Sequence, residues 1–324
     1  MSDHAAKLGG MPKVVVAERY GGPEVLALHN VPLPKVGNGQ VVVDVHAAGT
    51  NPIDYKLYSG QMGNDPAALP MPVGMEAAGV VAEAASYAEG YTGPLKVGDE
   101  VIVTGIRGAY AERVVADAEQ IGHKPATLTA EEASGLLLAG GTAWHLLTRT
   151  DVKAGDIVLV HGASGGVGLM AVQLASARGA RVIGTASAAR HDQLRHYGAE
   201  PVEYGPGLAD RVRALLAPGE QVTVALDLVG TDEALDSSVE LVADRDRIAT
   251  IAGFGRAPEL GIAALSGADG GQEIRDSSRP ELIRLAAAGQ VRVIVDKVFG
   301  LAEAADAHRY LQTGHARGKV VLVP

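Results

Sequence analysis

The chain runs to 324 residues with 47% hydrophobic and 20% charged residues, enough to bury an enzyme-sized core and to divide into two domains. A formal net charge of -10, an aromatic content of 4% and no visible Lys/Arg-rich face argue against nucleic acid as a partner, because a phosphate backbone needs concentrated positive charge. The zero cysteine count excludes disulfides, thiolate nucleophiles and cysteine-ligated zinc, while the lack of a long apolar run or an apolar signal-peptide region leads us to expect a cytoplasmic protein with no membrane partner.

Residues 1–10 read as a polar leader ahead of Met11. From Lys13 to Gly122 short strands alternate with turns, at residues 14–17, 40–46, 79–82 and 100–103, which predicts a compact, mostly β unit. The character then changes. Thr129 and Glu132 form a Thr-x-x-Glu capping box ahead of an apolar run that reaches Leu147, so a helix is expected there. A buried strand at 156–161, a glycine-rich turn, a helix at 167–177, a strand at 181–185 and a helix at 189–197 follow. Such alternation predicts a parallel sheet with right-handed crossovers, extended by strands at 222–228 and 247–252. The last stretch, with strands at 291–299 and 319–323 around a helix at 302–312, leaves the pattern and can return to the first domain.

The turn Gly162-Ala163-Ser164-Gly165-Gly166-Val167-Gly168 follows an apolar strand and opens a small-residue helix, the context that a dinucleotide fingerprint requires. Glycines there let the backbone approach a pyrophosphate and aim helix N-terminal amides at it. The competing reading is a turn needed only for helix–sheet packing. Where NAD enzymes carry an acid for the ribose hydroxyl, this chain reads Thr185-Ala186-Ser187-Ala188-Ala189-Arg190. Ser187 can donate to a 2′-phosphate and Arg190 can offer a charged fork, which favours NADPH, although Arg190 also suits a solvated first turn. Tyr204 either flanks the adenine or its phosphate, or packs at a strand end.

Several ordered motifs together resemble the medium-chain dehydrogenases/reductases, in their zinc-free quinone oxidoreductase (zeta-crystallin-like) branch. They are Ala48-Gly49-Thr50-Asn51-Pro52-Ile53-Asp54, Pro72-Val73-Gly74-Met75-Glu76-Ala77-Ala78-Gly79, Val97-Gly98-Asp99-Glu100-Val101, Gly108-Ala109-Tyr110-Ala111-Glu112, the glycine loop, and Gly318-Lys319-Val320-Val321-Leu322. The resemblance implies an α/β fold: a GroES-like β domain from residues 1–125 and 290–324, a Rossmann doubly wound parallel-sheet domain from 126–289, a cofactor cleft at their junction, and a homodimer. Zinc members place a Cys where this chain has Asn51 and a His where it has Met75, so no metal site is expected. Without a Lewis acid, the expected acceptor is already activated by conjugation: a quinone, an enone, or the enoyl thioester of a rival reductase reading. A cofactor-binding protein without turnover is the non-enzymatic alternative.

By the same resemblance Asn51 contacts the nicotinamide ribose or the acceptor oxygen, unless it only fixes the turn before Pro52. Asp54 reads as a carboxylate fixing backbone or ribose rather than as a proton donor. Tyr58 is a candidate donor where relatives carry Arg, and Tyr110 reads as structural. Thr142 is expected at the nicotinamide carboxamide, with Trp144 in the core. Leu228, Val229 and Gly230, then Gly253, Phe254 and Gly255, end parallel strands on the ligand edge. Lys319 is expected near the cofactor cleft, or else as a surface lysine.

Overall fold

A computed structural model describes residues 11–324, and the leader expected at 1–10 lies outside them. The chain divides into two compact units, one running to Leu138 and resumed by Val295–Pro324, the other Ala139–Ile294. Among the described residues no helix is long and apolar enough to cross a membrane.

In the first unit β1 (Lys13–Ala17), β2 (Leu26–Asn30) and β4 (Met71–Pro72) form one sheet in the order β2-β1-β4. The larger sheet joins β3 (Gln40–Gly49), β5 (Glu76–Ala84), β8 (Glu100–Thr104), β9 (Arg113–Asp117), β10 (Ile121–His123), β17 (Val295–Gly300) and β18 (Lys319–Val323). Its order is β10-β8-β5-β3-β18-β17, with β9 also paired to β3, while the short strands β6 (Glu89–Gly90) and β7 (Gly93–Pro94) pair with each other. The valine run in β3 makes it central, since Val41, Val42, Val43 and Val45 are all buried. The late strand β18 pairs antiparallel with β3 through Leu322 opposite Ala48 and Val321 opposite Gly49. That pairing carries Lys319 to the end of β3, where Asn51 begins the next helix.

Thr129 caps the helix Ala130–Ser134 reciprocally with Glu132, but the helix expected to run on to Leu147 is interrupted at Gly135 and restarts as Leu137–Arg149. The restart has a long-range contributor: the carboxylate of Glu76 accepts a 3.0 Å hydrogen bond from the N–H of Leu138, in the new helix's first turn.

The second unit holds β11 (Ile157–His161), β12 (Arg181–Thr185), β13 (Ala199–Val202), β14 (Val224–Asp227), β15 (Ile248–Thr250) and β16 (Ala263–Ala264). All its pairings are parallel, in the order β13-β12-β11-β14-β15-β16. Strand order reverses at β11, the arrangement of a Rossmann domain, whose ligands bind outside the carboxyl ends of the strands. Near-continuous burial of β11 and β14 fits a sheet covered on both faces.

Candidate active site

Asn51 leaves β3 as the N-cap of the helix Pro52–Tyr58, with Pro52 in the first turn where a missing N–H costs nothing. Its own N–H donates to Asp54 Oδ2 at 2.8 Å. The side-chain amide is held from both sides: Nδ2 donates to Glu76 Oε1 at 2.9 Å, and Oδ1 accepts from Lys319 Nζ at 2.7 Å. Lys319 also donates to Glu76 Oε1 and to the Thr50 carbonyl, each at 2.9 Å. Glu76 is 0% and Lys319 5% exposed. The three donors of an ammonium group are thereby committed within the unit. Lys319 is thus not a surface lysine; it holds the Asn51 amide in place.

A second buried chain starts at Asp54. Its Oδ2 also accepts from Tyr110 Oη at 2.7 Å; Tyr110 Oη lies 3.0 Å from His308 Nε2, and His308 Nδ1 lies 2.7 Å from Tyr58 Oη. Since Tyr110 gives its only hydrogen to the carboxylate, the network assigns His308 the Nε2–H tautomer, with Nδ1 accepting from Tyr58. Burial pushes the Asp54 carboxyl up to about 7, against the lowering effect of Tyr110, the Asn51 amide and the Lys319 charge. Burial also holds His308 down at about 4 and raises both tyrosines above their ordinary range. Tyr58, expected as a donor to substrate, is fully buried and stacked on His308 at 5.5 Å, so its hydroxyl serves the imidazole. Tyr110, expected to be structural, is a member of the chain.

In the second unit the loop after β11 is tied to β12, since Thr185 Oγ1 accepts from Gly162 N and the Thr185 carbonyl from Ala163 N. Its glycines divide into two kinds. A Cβ on Gly168 would stand 2.3 Å from the Gly162 carbonyl oxygen, so that glycine is required by packing. A Cβ on Gly165 would meet nothing nearer than 3.6 Å, and its φ of -80° suits any residue. Packing therefore gives no reason for a glycine at Gly165. Ser164, Gly165, Gly166 and Val167 are half-buried between the buried Ala163 and Gly168.

Around the same sheet edge Tyr204 is exposed after β13, Val229 after β14 and Phe254 after β15. Leu228 is half-buried, while Gly253 and Thr142, on the helix Leu137–Arg149, are buried; Trp144 is half-buried beneath the Arg178 guanidinium at 5.0 Å. Ser187 is half-buried and Arg190 only 8% exposed, so Arg190 is not the solvated first-turn residue of the alternative reading. Sequence reasoning missed the hub beneath these loops. Asp227, fully buried at the end of β14, accepts from the N–H groups of Val229 and Gly230 and from Thr250 Oγ1, which in turn accepts from Ala252 N and Gly253 N. An acid closing one strand and a threonine closing the next were the available signal.

Asn51 and Met75 do not suit zinc. An amide whose oxygen already faces an ammonium, with a thioether in place of an imidazole, lacks the donor set that the ion needs.

Residues 37–126 match the alcohol dehydrogenase GroES-like domain family, and residues 197–322 match a family described as zinc-binding dehydrogenase. The chain is 34% identical to a quinone oxidoreductase of Pseudomonas aeruginosa over 97% of this chain and 100% of that one. It is 30% identical to the NADPH-dependent alkenal/one oxidoreductase of Arabidopsis thaliana over 96% of this chain and 79% of that one. The crystal structure of Escherichia coli quinone oxidoreductase complexed with NADPH superposes with a TM-score of 0.83 at 28% identity, covering 96% of this chain and 100% of that one. Fold, ordered motifs and full-length relatives agree, and the chain belongs to the medium-chain dehydrogenase/reductase superfamily, in its quinone oxidoreductase branch.

Proposed function

We propose that the protein is an NADPH-dependent reductase that delivers hydride to a quinone or another α,β-unsaturated carbonyl without zinc. The observation that carries this reading is the Asn51–Lys319–Glu76 cluster, in which a buried ion pair fixes an amide at the position where the family resemblance puts a zinc-ligating Cys. Alkoxide chemistry loses its main support there, whereas a conjugated acceptor spreads the incoming charge onto an oxygen that needs only hydrogen-bond donors. When bound, NADPH supplies the hydride. The loop from Gly162 to Gly168 would hold its pyrophosphate, Ser187 and Arg190 the 2′-phosphate, Tyr204, Leu228 and Val229 the adenosine, and Thr142, Gly253 and Phe254 the nicotinamide half. NADPH over NADH follows from the absence of an acid between Thr185 and Arg190. The names of relatives, with quinones and alkenals among their acceptors, support the same class.

NADPH consumption with 1,4-benzoquinone, a simple enone and an enoyl thioester, each with a chelator present, tests the proposal. Turnover of quinone or enone that resists the chelator and prefers NADPH to NADH is expected. Turnover of the thioester alone would move the chain to the enoyl reductases, chelator inhibition would restore a metal, and tight NADPH binding without turnover would make it a binding protein.

A further inference from the structure

The Asp54 carboxylate has two unequal oxygens. Oδ2 is saturated by the Asn51 N–H and the Tyr110 hydroxyl, while Oδ1 is buried with no hydrogen-bond partner among the described residues. A proton on Asp54 therefore belongs on Oδ1, since placing it on Oδ2 would set it against two donors. Asp54 also lines a cavity of about 10 Å³ walled by Met71, Gly74, Met75 and Arg107. That is the space of roughly one water molecule. Arg107 is exposed and makes no ion pair among the described residues, so a cation borders the cavity where it meets the surface.

We propose that Asp54 is the proton donor of the reduction: its hydrogen, carried on Oδ1, passes through one water in the cavity beside Met75 and Arg107 to the oxygen of the reduced acceptor. The inference rests on the hydride-transfer reading above. The electron pair that arrives with hydride at the acceptor carbon displaces the conjugated electrons onto the acceptor oxygen, leaving an enolate, which for a quinone is the keto tautomer of the hydroquinone anion. The Asp54 O–H bond then breaks, its proton joins the water, and the water gives up one of its own to that oxygen. Asp54, left as a carboxylate, regains a proton from solvent by the same path.

The remaining chain keeps the acid poised. Tyr58 donates to His308, His308 to Tyr110 and Tyr110 to Oδ2, all in one direction, so the network is unchanged whether or not Oδ1 carries a proton. The charged groups around Asp54 are Glu76 on β5, which raises its pKa, and Lys319 on β18, which lowers it, with Arg107 across the cavity. His308, on the helix Ala304–Gln312, stays neutral at working pH.

The test is kcat against pH for an acceptor that the wild type turns over, in the wild type, Asp54→Asn and Tyr110→Phe. Wild-type kcat should fall above about pH 7, as Asp54 loses its proton. Asp54→Asn should lower kcat about 100-fold below that pH and abolish the alkaline limb. Tyr110→Phe keeps the acid but removes a hydrogen bond that lowers its pKa, so the limb should move to higher pH. Infrared spectra of the ligand-free protein should show a protonated carboxyl band near pH 6, lost on Asp54→Asn. An Asp54→Asn enzyme within about threefold of wild type, with the same profile, would overturn the donor role while leaving the reductase reading intact. If that variant does not fold, an unmoved limb in Tyr110→Phe, or a carboxyl band absent from the wild type near pH 6, overturns it. A wild type inactive on every acceptor overturns the reductase reading and the donor role together.

Discussion

An ammonium and a carboxylate as deeply buried as Lys319 and Glu76 persist only because each satisfies the other and both satisfy Asn51. Lys319→Met should therefore destabilise the fold by about 3–5 kcal/mol, because Glu76 would be left buried without its cation. Adding Glu76→Gln should recover most of that loss, with both read from urea denaturation midpoints; a single variant as stable as wild type would show that the pair contributes nothing. The sequence marked Asn51 and Lys319 as neighbours of the site through family motifs. It did not reveal that the lysine is buried, because Lys ordinarily reads as surface, and its partners lie 243 and 268 positions away. The surroundings of Asp54 were hidden for the same reason. Its environment is assembled by Tyr110 and His308 from distant segments, so no local spacing reports that its carboxyl is pushed up to about 7.

At the scale of elements, the glycine loop makes packing and ligand approach separable. Gly168→Ala should cost about 1–3 kcal/mol or more, since its Cβ would overlap backbone. Gly165→Ala, whose Cβ would meet only an ordinary contact at 3.6 Å, should leave thermal stability nearly unchanged yet weaken NADPH by at least about tenfold, or 1.4 kcal/mol. Fluorescence titration and thermal denaturation of both variants check the pair; unchanged NADPH affinity in Gly165→Ala would remove the loop from the phosphate site. Elements with strong local signals were legible. β12 and β18 fall where apolar runs put them, and the Thr129 capping box starts its helix. β13 was missed because Glu200 and Pro201 interrupt its pattern at a sheet edge, and β16 because only two residues pair. The break at Gly135 was missed because one contributor to it, Glu76, acts from the other end of a 3.0 Å hydrogen bond across 62 positions.

For the whole molecule, buried titratable groups make the two units respond differently to acid. His161 in the second unit is held neutral at about 4 by burial, below its ordinary 6.5. Its contribution is full above pH 6.5 and is lost as pH falls toward 4, a change of about 3 kcal/mol. In the first unit His308 loses stability over the same window, but Asp54, with its pKa raised from 3.8 to about 7, gains it as pH falls. The two nearly cancel. Acidification from about pH 6.5 to about pH 4 should thus lower amide protection in Ala139–Ile294 more than in the first unit, as read by hydrogen exchange with mass spectrometry, and an equal loss in both would contradict this balance. The pairing of β3 with β18 has one more effect, which concerns synthesis. All six strands of the second unit lie in one continuous stretch and can close while the ribosome is still extending the chain, whereas the edge of β3 beside Ala48 and Gly49 must wait for Val321 and Leu322. Glu76 and Asn51 therefore wait for their cation until the parallel sheet of the second unit has left the ribosome.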